Sequence, residues 1–99
     1  MSTEFSALQD LLKALASENR QRILLEVFRD GKPRTVNQIA EQLGLGQSTA
    51  SEHLAQMKRA GVLQSQKIGK EVLYKPDRVR LLAQLQRFVD LVVRCCPEN

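Results

Sequence analysis

The chain has no tryptophan, one tyrosine and three phenylalanines, so aromatic residues make up only 4% of its 99 residues. A core poor in rings must be built from aliphatic side chains, and a small aliphatic core suits packed helices. No apolar run approaches the roughly 20 residues that a membrane span needs. Met1-Ser2-Thr3-Glu4-Phe5 lacks the basic-then-apolar build of a signal peptide. There is no internal repeat, low-complexity tract or disorder-prone composition. No nucleophile–base pair, carboxylate pair, phosphate-cradling loop or metal-ligand cluster can be picked out, which argues against an enzyme. These absences predict a single cytoplasmic domain over residues 1–99, with no membrane contact and with its two cysteines reduced.

The charge that is present is unevenly placed. The net charge is +4. Residues 1–46 balance six basic side chains against six acids, and residues 81–99 balance two against two. Residues 47–80 hold Lys58, Arg59, Lys67, Lys70, Lys75, Arg78 and Arg80 against only Glu52, Glu71 and Asp77. The whole excess lies on one third of the chain, the electrostatic footprint of a nucleic-acid surface.

The same third begins with an amphipathic helix. Around Leu54, Ala50, Met57 and Gly61 fall close together at helical spacing and form a narrow apolar stripe. Ser48, Thr49, Glu52, Gln56 and Arg59 lie opposite, with Ala55 among them. Short or flexible hydrogen-bonding side chains on an exposed face suit entry into a DNA major groove. Before this helix, Thr35 opens a short helix with Gln38 three residues on, as in a capping box, and Gly44-Leu45-Gly46 forms the turn. Short helix, glycine turn, longer helix is the signature of a helix-turn-helix, here about 35–61.

Two helices precede it, Phe5 to Ala16 and about Glu18 to Arg29, with Ser17 placed to cap the second and Asp30-Gly31-Lys32-Pro33 as a stop. After it, Val62–Ile68 and Glu71–Lys75 alternate as strands around Gly69-Lys70, a wing over about 62–75 with Lys67 and Lys70 at its tip. A last helix runs about 77–96, with Asp77 at its start. It carries too many apolar positions for one stripe. Leu81, Leu85, Phe88, Val89 and Val92 are assigned to a homodimer interface. The predicted class is mostly α with a small β-hairpin: a winged helix-turn-helix that dimerises through its terminal helices.

Three stretches resemble the ArsR/SmtB family of winged-helix repressors. Ala14-Leu15-Ala16-Ser17-Glu18-Asn19-Arg20-Gln21-Arg22-Ile23-Leu24 is similar to its opening motif. Gly44 to Leu54, ending Ser51-Glu52-His53-Leu54, is similar to its reading helix. Ala60-Gly61-Val62-Leu63, then Gly69-Lys70 and Tyr74, is similar to its wing. The resemblance implies a dimer that leaves operator DNA when a metal, metalloid or redox signal is sensed. The departures concern the sensor. Thr35-Val36-Asn37 stands where founding members have Cys-Val-Cys, and the second helix has no cysteine for a persulfide pair. The single histidine, His53, is on the reading helix, so a His-rich zinc site is absent. Cys95 and Cys96 remain as thiol ligands for As(III), Sb(III) or another thiophilic ion, and Pro97-Glu98-Asn99 adds no third cysteine.

The expected function is sequence-specific repression at an inverted-repeat operator in double-stranded DNA. Ser48, Thr49, Glu52 and Gln56 are assigned to base edges, Gln47 and Ser51 to seating the helix, and Arg59, Lys67 and Lys70 to phosphates. His53 is expected to orient the helix. The alternatives are a regulator without metal or thiol sensing, and a winged-helix module whose grooved face binds protein.

Overall fold

The structure, a computed structural model, describes residues 5–96 and 98. Met1–Glu4, which carried the reading of a missing leader, lie outside the described residues, as do Pro97 and Asn99 beside the cysteine pair. The order among the described residues is α1 (Ser6–Ala14), α2 (Glu18–Arg22), α3 (Val36–Leu43), α4 (Gln47–Arg59), β1 (Leu63–Ile68), β2 (Glu71–Pro76) and α5 (Arg78–Cys95).

Local chemistry sets the helix starts. Ser17 Oγ accepts from the Arg20 amide at 3.4 Å, and Asp77 Oδ1 accepts from the Arg80 amide at 3.1 Å. At α3 the capping box is complete: the Gln38 amide donates to Thr35 Oγ1 at 3.2 Å, and the Thr35 amide donates to Gln38 Oε1 at 2.8 Å.

The second helix departs from the expected continuous α-helix. After Arg22 it widens into a π-helical turn over Ile23–Val27, where the Phe28 amide donates five residues back to Ile23 at 3.1 Å. The wider turn brings Ile23, Val27 and Phe28 all into the core, and leaves Leu25 outside, 68% exposed.

The core is aliphatic, as the composition requires. Leu8, Leu11, Ile23, Val27, Phe28, Ile39, Leu43, Leu54, Met57, Val62 and Leu63 form one buried cluster drawn from α1, the π-helical turn and Phe28 after it, α3, α4, and the start of the hairpin at Val62 and β1. Full burial of each large aliphatic residue stabilises by roughly 1.5–3 kcal/mol.

β1 and β2 pair antiparallel from Leu63 opposite Pro76 to Ile68 opposite Glu71. A single isolated bridge, absent from the sequence reading, joins the hairpin. Arg34 and Tyr74 exchange backbone hydrogen bonds of 2.9 and 2.8 Å, which ties the segment before α3 to the hairpin.

α5 lies against α1, and none of its residues is buried. Leu81 and Leu91 pack partly buried on the chain's own core. Of the residues assigned to the dimer, Leu81 is the one partly covered by the chain's own core. The Asp77 amide is bonded to the Val62 carbonyl at 2.9 Å, so the first turn of α5 starts against the core and turns Leu81 inward. Leu85, Phe88, Val89 and Val92 are exposed at 47, 40, 52 and 42%.

Candidate nucleic-acid interface

α4 is held at both ends and along one side. At its entry, Gly44 takes the left-handed conformation with φ of 69°, and the Leu45 amide reaches back to the Ala40 carbonyl at 2.9 Å. This Schellman-type closure turns the chain sharply from α3 into α4, with Leu45 packed against the core. At its exit the same device recurs: Gly61 has φ of 81°, and the Val62 amide donates to the Met57 carbonyl at 2.9 Å. There the Arg80 side chain covers Gly61 so closely that an added Cβ would lie 2.8 Å from Arg80 Nε. Between the two closures, Ala50, Leu54 and Met57 are completely buried.

With that side fixed, the opposite face points outward. Gln47, Ser48, Thr49, Ser51 and Glu52 are all exposed over the first turns of α4. They occupy the N-terminal end, where unpaired amides give a positive partial charge. Arg59, Lys67 and Lys70 are exposed as well. Ile68 and Val72 are 55% and 39% exposed beside the lysines of the hairpin tip, so the wing is apolar as well as basic.

Gln56 differs from the expected placement. It is half-buried, and its Oε1 accepts from Arg20 Nη1 at 2.7 Å. Its side chain is committed to α2 rather than to the exposed face. Arg20 is the residue that sequence reasoning missed. Its Nε donates to the Ala14 carbonyl at 2.6 Å, and Nη2 reaches the Lys13 carbonyl at 3.5 Å. Nη1 also approaches His53 Nδ1 at 3.5 Å. An open cleft of about 380 Å³ beside this cluster is lined by Asp10, Lys13, Ala14, Arg20, Gln56, Arg59 and Ala60.

The root of the wing has its own clamp. The Asp30 carboxylate accepts from Arg34 Nη1 at 2.8 Å and Nη2 at 2.9 Å, and the Lys32 amide adds a bond of 3.0 Å. The Arg34 guanidinium also lies over the Phe28 ring, 5.9 Å from its centre. Arg34 first, and the Lys32 amide second, hold the Asp30 carboxyl well below the usual carboxylate range, and the pairing raises Arg34 in turn. The signal was an acid and an arginine four residues apart across Gly31-Lys32-Pro33, which reads from sequence only as a stop.

At the far end of α5, Cys95 and Cys96 are free and exposed, with their Sγ atoms 3.2 Å apart. The hydrogen bond it shares with Cys95, and then the charge of that neighbour, push the Cys96 thiol above its ordinary value. Among the described residues no group of three or more His, Cys, Asp or Glu side chains is placed to hold a metal ion. No helix among them is long and apolar enough to cross a membrane.

Two helices joined through a left-handed glycine, a polar exposed face on the second and a two-stranded hairpin behind it define a winged helix-turn-helix. Residues 15–66 match the model of a helix-turn-helix domain family. The chain belongs to the ArsR/SmtB family of helix-turn-helix transcriptional regulators. It is 36% identical over 81 residues to the uncharacterized HTH-type transcriptional regulator YbzH of Bacillus subtilis, covering 69% of this chain and 81% of that one. It is 32% identical over 84 residues to the arsenic resistance transcriptional regulator ArsR1 of Pseudomonas putida, where the match covers 85% of this chain and spans 61% of the relative. Among solved structures, the homodimeric winged helix-turn-helix DNA-binding domain Mb0332 of Mycobacterium bovis superposes with a TM-score of 0.70 at 24% identity. That match covers 100% of this chain and 97% of the other.

Proposed function

We propose that the chain is a homodimeric repressor that reads an inverted-repeat operator with paired α4 helices and is released by a thiophilic metalloid at Cys95-Cys96. The observation that carries the DNA-binding part is the exposed face of short polar side chains on a helix whose other side is completely buried. Ser48, Thr49 and Glu52 are assigned to base edges, with Glu52 accepting from a cytosine amino group. Gln47 and Ser51 seat the helix, and Arg59, Lys67 and Lys70 hold phosphates. A two-fold dimer would set the two helices about 34 Å apart on one face of the duplex. Leu85, Phe88, Val89 and Val92 supply the apolar surface for such a dimer, and the M. bovis relative is homodimeric.

The thiol pair fits a two-coordinate chelate. With As(OH)₃, each thiol proton leaves with one hydroxide as water while an As–S bond forms. The third position is left to a hydroxide, a small thiol or the partner subunit. The name of the P. putida relative supports this choice of signal.

The test uses a duplex selected from a random pool by the wild-type chain. As(III) is titrated into its complex with wild type and with the Cys95→Ser/Cys96→Ser double variant. Release of wild type alone is expected. Equal release of both proteins would remove the thiol sensor and leave the DNA-binding reading standing. Failure of the wild type to select any duplex would remove both, and favour a protein partner for the α4 face.

A further inference from the structure

We infer that Arg20 is the positioning residue for the reading helix, and that operator discrimination depends on its hydrogen bond to Gln56. This rests on α4 reading DNA. Arg20 stands at the corner where α1 ends and α2 begins, and its guanidinium faces two other elements at once, α1 and α4. Nε and Nη2 reach the carbonyls of Ala14 and Lys13, 2.6 and 3.5 Å away, at the end of α1, where the Lys13 carbonyl also accepts from the Ala16 amide at 3.2 Å. Nη1 holds Gln56 Oε1 at 2.7 Å and faces His53 Nδ1 at 3.5 Å, both on α4. Ala50, Leu54 and Met57 fix the depth of α4 against the core, but apolar packing is non-directional. The Arg20–Gln56 bond is a directional contact on its flank. It fixes the rotation of the helix, and with it the aim of Ser48, Thr49 and Glu52.

Base readout and phosphate contact respond differently to a small rotation. Hydrogen bonds to base edges need their geometry, while Lys and Arg follow a phosphate with flexible side chains. Loss of the clamp should therefore lower selectivity more than affinity. A residue that contacted a phosphate itself would give the opposite pattern, weakening all sequences alike and lowering the salt slope by about one.

The experiment measures affinity of the full chain for the wild-type-selected duplex and for a scrambled duplex of equal length, over a salt series. The variants are Arg20→Ala and Gln56→Leu. Gln56→Leu leaves the Arg20 bonds to the end of α1 in place, so it tests the clamp even where Arg20→Ala does not fold. The ratio of selected to scrambled affinity should fall about tenfold in Gln56→Leu with the salt slope unchanged. Where Arg20→Ala folds, it should match, and the double variant should lose no more than either single one. An unchanged ratio in a folded Gln56→Leu protein overturns the inference, as does an Arg20→Ala protein that weakens on both duplexes with a smaller slope. A wild type that selects no duplex overturns the DNA reading instead, before any variant is compared.

Discussion

α4 and α5 are both amphipathic, yet they are finished to different degrees. α4 has 13 residues, and its three core-facing ones, Ala50, Leu54 and Met57, are completely buried. Its remaining surface is polar. α5 has 18 residues and buries none of them. Val79, Leu82, Leu85, Phe88, Val89, Val92 and Val93 stand between 40 and 78% exposed. One helix has satisfied its apolar side within the chain and offers a hydrogen-bonding side outward. The other offers apolar surface outward and so calls for a protein surface to cover it. In a family of regulators, our proposal gives the first helix to DNA and the second to another copy of the same chain.

The widest separation between the two helices should come from matched core and surface changes. Leu54→Ala removes a completely buried side chain from α4 and should destabilise the domain by about 2–5 kcal/mol, seen in urea unfolding followed by circular dichroism. Val89→Asp places a charge on the exposed face of α5, where Val89 is 52% exposed. It should leave the helical spectrum intact and shift sedimentation from dimer to monomer. A Val89→Asp protein that remains dimeric would break the comparison, because the open face of α5 would then not be the contact surface.

How far this contrast could be read from the residues alone differs between the helices. The stripe Ala50, Leu54, Met57 was legible because a narrow stripe at helical spacing admits one buried side. The caps at Ser17, Thr35 and Asp77 were legible because each acts within three residues. In α5 the apolar residues cover too wide an arc to say which belong inside, and the partial burial of Leu81 and Leu91 on the chain's own core was not legible. Gln56 and Arg20 were harder still, being 36 positions apart in the chain. Nothing local marks a long-range hydrogen bond, and a glutamine on a polar face looks the same whether it faces a base or an arginine. The π-helical turn at Ile23–Val27 was hidden for a similar reason: Ile23, Val27 and Phe28 fit an ordinary apolar stripe until the core demands all three.

The reading side can be sharpened by an exposed cation. Lys70 lies in the turn between β1 and β2. If it holds a phosphate, Lys70→Ala should weaken selected and scrambled duplexes alike and lower the salt slope by about one. An unchanged slope would remove the wing from the DNA surface while leaving α4 on it.

The smallest effect belongs to the wing's root and concerns acid. Asp30 is paired with Arg34, and Arg34 carries the backbone bridge to Tyr74. The folded-state carboxyl titrates well below its unfolded value, mainly through the Arg34 hydrogen bonds. The sign follows from which state binds the proton. Below the ordinary carboxylate range the unfolded chain takes up a proton at Asp30 that the folded chain still refuses, so folding loses this contribution as pH falls toward the folded value. At neutral pH the contribution is fully present. Asp30 is exposed, so salt screens the pair and keeps the effect small. Asp30→Asn should therefore show a shallower loss of stability between neutral and acid pH than wild type, and high salt should narrow the difference. If the two proteins lose stability in parallel over that range, the pair does not hold the wing's root, and the bridge at Tyr74 stands on its backbone bonds alone.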